Sequence, residues 1–298
     1  MKIIKSTYGT KDVTNIVESY LKNDFLAVFV SNDIFGDPNV GVLKKLTVEF
    51  DDGSIVSENE NNFLFYPKPS ERVGIFYTNN CNTNPLKLKA LDLSLKSIKL
   101  ASLKNNNVVV TSVWNKIKEN PFIEIISQVK IGSHLNLILQ VLQLIYFVKK
   151  YIPNAKYVSF LEHDCVYPED YFDYDDFDCD SITNSNHIGL SKNGWQPKIH
   201  PIRPTSNIIM KLDSAIKHFQ NILPHALFNK HGSPEPWYSK SEGLSSFEWT
   251  NKDWECKNPS FHINHGHSYT QHYTVFKKDF SESNYYWGHY LEYAHLFS

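Results

Sequence analysis

The stretch YVSFLEHD, residues 157–164, decides the fold class that we predict for this chain. The run YVSFL is mostly apolar and rich in aromatic and β-branched residues, which is typical of a buried strand. Glu162 and Asp164 follow it directly. In an extended chain these two side chains point to one side and His163 to the other. The sequence therefore predicts a buried strand that carries two carboxylates at its carboxyl end.

Strand and helix patterns alternate on the amino-terminal side of this stretch. The apolar runs 73–77 and 108–113 are predicted strands, and a helix is predicted to begin at Pro85 after the capping residue Asn84. A second helix is predicted over 135–150, and a third, on the carboxyl-terminal side of this stretch, over 208–221. This order predicts an α/β fold with a mostly parallel, Rossmann-like sheet flanked by helices.

Ligands of such sheets bind outside the carboxyl ends of the strands. The predicted crevice is therefore lined by Thr78, Asn79, Ser112 and the acidic residues Glu162 and Asp164. The chain contains neither a G-x-G-x-x-G motif nor a P-loop motif, so the usual dinucleotide and P-loop phosphate signatures are absent from the sequence.

The first 70 residues have a different pattern. The runs FLAVFVS (25–31) and LTVEF (46–50) are predicted strands separated by a turn-rich segment. A polar stretch at 57–62 and the prolines at 67 and 69 are typical of a linker. We therefore predict a small β-rich accessory domain with its linker over residues 1–70 and the α/β domain over 71–298.

Composition limits the classes of partner and the location. The 30 basic and 32 acidic side chains give a net charge of −2, which does not favour electrostatic binding of nucleic acid. Four scattered cysteines without a C-x-x-C pair are typical of a reducing compartment. The amino terminus lacks an apolar leader, and the longest apolar stretch, 135–148, is too short for a membrane span. A cytoplasmic protein without a membrane span is the resulting expectation.

Two carboxylates at the ligand end of a sheet form a good oxygen-donor site for Mg²⁺ or Mn²⁺. The longer segment YVSFLEHDCVYPED, residues 157–170, resembles the metal-binding segment of glycosyltransferases of the GT-A fold, in which an apolar strand ends in an Asp-x-Asp-type triplet. The resemblance covers roughly residues 72–275, with Glu162 in place of the first Asp. It implies transfer of a sugar from a nucleotide-diphosphate sugar, with Mn²⁺ or Mg²⁺ as the cofactor.

The resemblance also implies roles for single residues. Asp164 would bind the metal, Glu162 the nucleotide ribose or the metal, and Thr78 and Asn79 would lie near the base or ribose, with Ser112 beside them. The segment FHINHGH, residues 261–267, resembles the late histidine element that such enzymes supply to the same metal. His265 and His267 are the predicted ligands there. Trp195-Gln196 and residues 205–207 would fit the sugar- and acceptor-binding half.

Inverting sugar transfer needs a general base beside the acceptor hydroxyl. The candidates are the carboxylates between the triplet and the late histidines, namely Glu235, Glu242, Asp253 and Glu255. Glu235 lies between two prolines and ranks first, and Glu235 and Glu242 are the predicted catalytic residues. The sequence leaves retention or inversion of configuration open.

Two other readings stay open. One is a non-catalytic protein that binds a nucleotide-sugar or a glycan through a glycosyltransferase-like domain. The other is a metal hydrolase, which is less favoured because no H-E-x-x-H pattern occurs. For an enzyme, a glycan or protein acceptor is favoured over DNA, and a virus-encoded enzyme that modifies DNA bases is a minor alternative.

Overall fold

The computed structural model describes residues 1–77, 85–104, 106–113, 123–126, 134–196, 205–228, 250–263 and 281–297. The chain divides into two compact units. The first comprises Met1–Pro69 with Tyr151–Pro153, and the second comprises Ser70–Lys150 with Asn154–Ser298. The division into domains over 1–70 and 71–298 stays a prediction.

The first unit is a β-rich module with two short helices. Its elements are β1 (Ile3–Tyr8), β2 (Lys11–Asp12), α1 (Thr14–Glu18), β3 (Leu21–Lys22), β4 (Phe25–Phe29), α2 (Asn32–Phe35), β5 (Lys45–Phe50), β6 (Ile55–Asn59) and β7 (Phe63–Tyr66). They form a four-stranded sheet, β2-β1-β5-β6, and a three-stranded sheet, β3-β4-β7. Alternate residues of β4 and β5 are buried, which is the period expected of strands with one face on a core.

The second unit contains the remaining elements. These are β8 (Arg72–Tyr77), α3 (Pro85–Leu103), β9 (Val108–Val113), β10 (Ile123–Ile126), α4 (His134–Tyr151), β11 (Tyr157–Glu162), β12 (Cys165–Val166), β13 (Ser181–Asn184), β14 (His187–Ser191), β15 (Gly194–Gln196), β16 (Ile208–Lys211), α5 (Leu212–Phe228), β17 (Asn251–Trp254), β18 (Ser260–Ile263), β19 (Ser283–Asn284) and β20 (Gly288–His289). Short 3₁₀ turns cover Thr205–Asn207 and Tyr290–Leu296.

The main sheet has seven strands in the order β10-β9-β8-β11-β16-β13-β17. Strands β10, β9, β8 and β11 are mutually parallel, whereas β16 is antiparallel to both of its neighbours. The prediction of a mixed α/β fold with a mostly parallel sheet is confirmed. The strand order reverses between β8 and β11, and such switch points are where open α/β sheets bind their ligands.

Helices cover both faces of the central strand β11. Leu161 packs in a core cluster with Leu91 and Ile98 of α3. The neighbouring Phe160 points to the opposite face, where its ring lies 5.4 Å from that of Phe219 on α5. The buried strand predicted at YVSFL is therefore present and is fixed by apolar contacts on its two faces.

One predicted helix starts in the wrong place. Residues 208–221 read as one helix in the sequence, but Ile208–Lys211 forms strand β16 and the helix begins only at Leu212. The apolar residues 208–210 are fully buried beside β11. A short apolar run of this kind fits a buried strand as well as a helix turn, so periodicity alone does not distinguish them.

A second, four-stranded sheet lies in the same unit in the order β12-β18-β14-β15. One face of it is apolar and belongs to a core cluster that includes Val166, Leu190, Trp195, Phe261 and Ile263. The alternation of side chains along a strand places the intervening residues of β12, β14, β15 and β18 on the opposite face.

Within the described residues, no helix has both the length and the apolar character required to cross a bilayer.

Candidate active site at the end of the central strand

Three residues on neighbouring strands lie side by side at the switch point. Tyr77 pairs in register with Ser112 of β9 on one side and with Glu162 of β11 on the other. These residues lie at or next to the carboxyl ends of their strands. The predicted grouping of Ser112 and Glu162 at one sheet edge is therefore seen in the backbone, while the side chain of Ser112 lies outside the described residues.

The Glu162 side chain is held by its neighbour. The Tyr77 hydroxyl donates a hydrogen bond of 2.5 Å to Glu162 Oε1. The backbone of Glu162 is also fixed by side chains, because its N–H donates to the Tyr167 hydroxyl at 2.8 Å and its carbonyl accepts from Ser94 Oγ at 3.0 Å. Tyr167 is fully buried and Ser94 lies on α3, so the strand end has a defined position.

The predicted extended conformation of Glu162, His163 and Asp164 is wrong. Strand β11 ends at Glu162, and residues 163–164 form a turn before β12 begins at Cys165. Alternation of side chains holds only in an extended chain. The turn instead directs Asp164 toward β18, where its backbone carbonyl accepts a 2.8 Å hydrogen bond from the N–H of Ile263.

Asp164, Cys165 and His262 form a group of potential metal ligands. The Asp164 side chain is largely buried, and its Oδ2 lies 3.8 Å from His262 Nε2. Cys165 Sγ lies 3.6 Å from the other ring nitrogen, Nδ1, and 3.9 Å from Asp164 Oδ1. The imidazole therefore presents Nε2 to the carboxylate and Nδ1 to the thiol.

His187 lies at the edge of this group. Burial lowers the pKa of His187 to about 3, with His262 as the next cause, so its imidazole is neutral. Its Nδ1 lies 3.0 Å from Ser260 Oγ. That hydroxyl donates to Asn207 Oδ1 at 2.8 Å and accepts from Asn184 Nδ2 at 3.1 Å. A buried polar network thus supports the β18 segment that carries His262.

The Cys165 thiol is fully buried, and burial raises its pKa well above the ordinary value, with Asp164 as the second cause. Soft thiolate ligands favour zinc, whereas carboxylate ligands suit Mn²⁺. The carboxylate faces one imidazole nitrogen and the thiol faces the other. One ion bound at Nε2 would therefore leave Nδ1–H directed at Cys165 Sγ, which would take the position that a carboxylate, a carbonyl or a water usually occupies beside a metal-binding histidine.

The other predicted site residues are placed as follows. Thr78, Asn79, Glu235, Glu242, His265 and His267 lie outside the described residues. Asp253 and Glu255 are exposed and lie in or just after β17. Strand β17 is the third strand from β11, about 14 Å away at the usual strand spacing of about 4.8 Å. The sheet does not bring these two carboxylates to the end of β11.

Sequence reasoning missed His262, Cys165 and His187. The signal for His262 was present, because it lies between Phe261 and Ile263 and alternation predicts that it points away from the apolar face they share. Its proximity to Asp164 depends on the pairing of β12 with β18, which joins residues 97 positions apart.

No protein-family model matches the chain, and no curated protein is similar to it in sequence. The solved structures that resemble it in fold include the following two. One is a glycosyltransferase involved in the glycosylation of the major capsid of PBCV-1, with 8% identity and a TM-score of 0.40 over 64% of this chain and 91% of that one. The other is a proposed nucleotide-diphospho-sugar transferase from Desulfovibrio desulfuricans G20, with 12% identity and a TM-score of 0.32 over 64% and 83% of the two chains.

We expect Tyr77→Phe to lower the free energy of unfolding by about 1–2 kcal/mol, because it removes a hydrogen bond to a carboxylate at a buried position. Urea unfolding followed by circular dichroism measures the change. Tyr285→Phe is the matched control, since Tyr285 is 77% exposed and its hydroxyl donates a 3.2 Å hydrogen bond to the Lys257 carbonyl at the surface, and we expect a change within about 0.5 kcal/mol. Equal stability of Tyr77→Phe and wild type would show that the Tyr77 contact does not hold Glu162.

Proposed function

We propose that this protein is a cation-dependent glycosyltransferase that takes its sugar from a nucleotide-diphosphate sugar. The observation that carries the proposal is the approach of Asp164 Oδ2 to His262 Nε2, 3.8 Å apart, just beyond the carboxyl end of β11. Strand β11 borders the switch point of the sheet, where ligands of such folds bind. A carboxylate and an imidazole together at this position suit a divalent cation and the diphosphate that it would bind.

Asp164 and His262 are the residues that would hold the cation, and their mixed oxygen and nitrogen donors favour Mn²⁺ over Mg²⁺. When bound, a divalent cation supplies positive charge that stabilises a leaving nucleoside diphosphate. Other described residues would position the nucleoside diphosphate. Tyr77 orients the Glu162 carboxylate, which can accept hydrogen bonds from the ribose hydroxyls, a common role of acidic residues near a switch point.

The remaining roles are proposals that rest on the sequence. Thr78 and Asn79 follow Tyr77 directly and are proposed to contact the base or ribose, with Ser112 beside them. Glu235 or Glu242 is proposed to activate the acceptor, and His265 or His267 to add a further ligand to the cation. The proposed acceptor is a glycan or a protein, which agrees with the net charge of −2.

Thermal unfolding of the wild-type protein with nucleotides tests the proposal. Uridine and guanosine diphosphates are added separately, with Mn²⁺ or with excess chelator. A ligand that binds only the native state raises the midpoint, so at least one nucleotide should raise it by several degrees with Mn²⁺ and leave it unchanged with chelator. No shift with either nucleotide in Mn²⁺ would contradict the proposal.

Hydrolysis of UDP-glucose or GDP-mannose by the same protein distinguishes a glycosyltransferase from a non-catalytic protein that only binds the nucleotide-sugar. Slow release of free sugar that requires Mn²⁺ is expected for a transferase, since water can replace the acceptor. Binding without any release over many hours would favour a nucleotide-sugar-binding protein instead.

A further inference from the structure

The polar face of the second sheet extends beyond the cation group. Register places Cys165 of β12 opposite His262 of β18, His262 beside Gly189 of β14, and Gly189 opposite Gln196 of β15. We call these four residues the polar row. Their strands share the apolar core on the other face, so the polar row forms one continuous line that starts next to Asp164.

Gln196 ends the polar row with an unsatisfied group. The residue is 5% exposed, and its Oε1 is buried without a hydrogen-bond partner. A buried carbonyl oxygen without a donor costs free energy, and most such atoms in proteins have a partner. This atom is an acceptor, so its partner must supply an O–H or N–H group.

The Gln196 side chain leans back along the polar row toward His262. A Cβ placed on Gly189 would lie 2.5 Å from Gln196 Oε1 and 3.2 Å from Gln196 Cβ, so the amide lies directly over the glycine. Gly189 and His262 are paired neighbours, about 4.8 Å apart across their strands. The unsatisfied oxygen therefore lies about one strand spacing from the backbone of the proposed cation ligand, on the same face.

We propose that Gln196 binds the transferred sugar of the donor by accepting a hydrogen bond from one of its hydroxyl groups. The inference rests on the proposed function, because a diphosphate held beside His262 would bring an attached sugar within reach of the amide. A phosphate oxygen cannot satisfy Oε1, since it is itself an acceptor, whereas a sugar carries several hydroxyl donors. Gly189 is required because any side chain there would displace the amide.

Calorimetric titration in Mn²⁺ compares nucleoside diphosphates with their sugar conjugates, using UDP, UDP-glucose, GDP and GDP-mannose. Gln196→Met keeps the length of the side chain and removes the acceptor. We expect it to weaken binding of the sugar conjugate about tenfold and to leave binding of the nucleoside diphosphate within about twofold of wild type, because one hydrogen bond is lost. Gln143→Met is the matched control, since Gln143 is exposed on α4, and no change is expected.

Gly189→Ala gives a second, independent variant that retains Gln196. The new Cβ would displace the amide, so the same selective loss for the sugar conjugate is expected. Wild-type affinity for the sugar conjugate in both variants would overturn the inference, as would an equal loss for the nucleoside diphosphate. Failure of the proposed function would give a different result, because the wild-type protein itself would then bind neither UDP nor GDP in Mn²⁺.

Discussion

Asp164→Asn is expected to weaken Mn²⁺-dependent binding of the nucleoside diphosphate by at least about 100-fold. The substitution keeps the size of the side chain and the backbone hydrogen bond to Ile263 but removes the charge beside His262. Loss of an outer partner of a metal ligand already costs about 10–100-fold in affinity or activity, so loss of a ligand should cost more. Calorimetric titration of the nucleotide with Mn²⁺ and with chelator measures the effect.

Asp175→Asn is the matched control for this prediction, because Asp175 is an exposed aspartate in the loop after Tyr174. It should bind the nucleotide with wild-type affinity. The melting temperature of Asp164→Asn should lie close to that of wild type without ligand, which separates loss of binding from loss of fold. Unchanged Mn²⁺-dependent binding by Asp164→Asn would show that the cation is held elsewhere.

Phe160→Ala is expected to have the largest effect on stability, lowering the free energy of unfolding by about 3–5 kcal/mol. Phe160 is fully buried on the central strand and packs against Phe219 of α5, so truncation leaves a cavity between the sheet and the helix. Urea unfolding followed by tryptophan fluorescence measures the change.

Leu100→Ala is the matched control for Phe160→Ala. Leu100 lies on α3 with 54% of its surface exposed, so its truncation removes little buried apolar area. A change within about 0.5 kcal/mol is expected. A similarly small change for Phe160→Ala would contradict the packing described for β11.

The parallel half of the main sheet could be predicted from the sequence because its strands and helices have distinct local patterns. The apolar runs at 73–77, 108–113 and 157–161 are bounded by helices whose apolar residues recur at three- and four-residue intervals. The structure has strands and helices at these positions. Local periodicity is sufficient here because each element buries a continuous face or stripe.

The other half of the unit could not be predicted in this way. Residues 208–211 form a buried strand antiparallel to β11, although their pattern continues into a helix. Strand β18 is only four residues long, and it pairs with residues 165–166 of β12 and 187–190 of β14. Pairings between residues so far apart in sequence leave no local signal.

The candidate site could be predicted only where it depends on local sequence patterns. Asp164 is next to a strong strand signal, so its position at the sheet edge follows from the sequence. The sequence does not predict the turn at residues 163–164, because the triplet directly continues a strand pattern. The direction of Asp164 toward β18 depends on that turn. The sequence does not single out His262, because His265 and His267 follow it within five residues and local pattern does not distinguish the three.

The central claim is that Asp164 and His262 bind one divalent cation together. Anomalous X-ray diffraction from crystals grown with Mn²⁺ and a nucleoside diphosphate tests it most directly. The prediction is an anomalous peak within about 2.3 Å of both an Asp164 carboxylate oxygen and His262 Nε2, with diphosphate oxygens on its open side. A diphosphate-bound Mn²⁺ elsewhere, with no peak between these two side chains, would contradict the account.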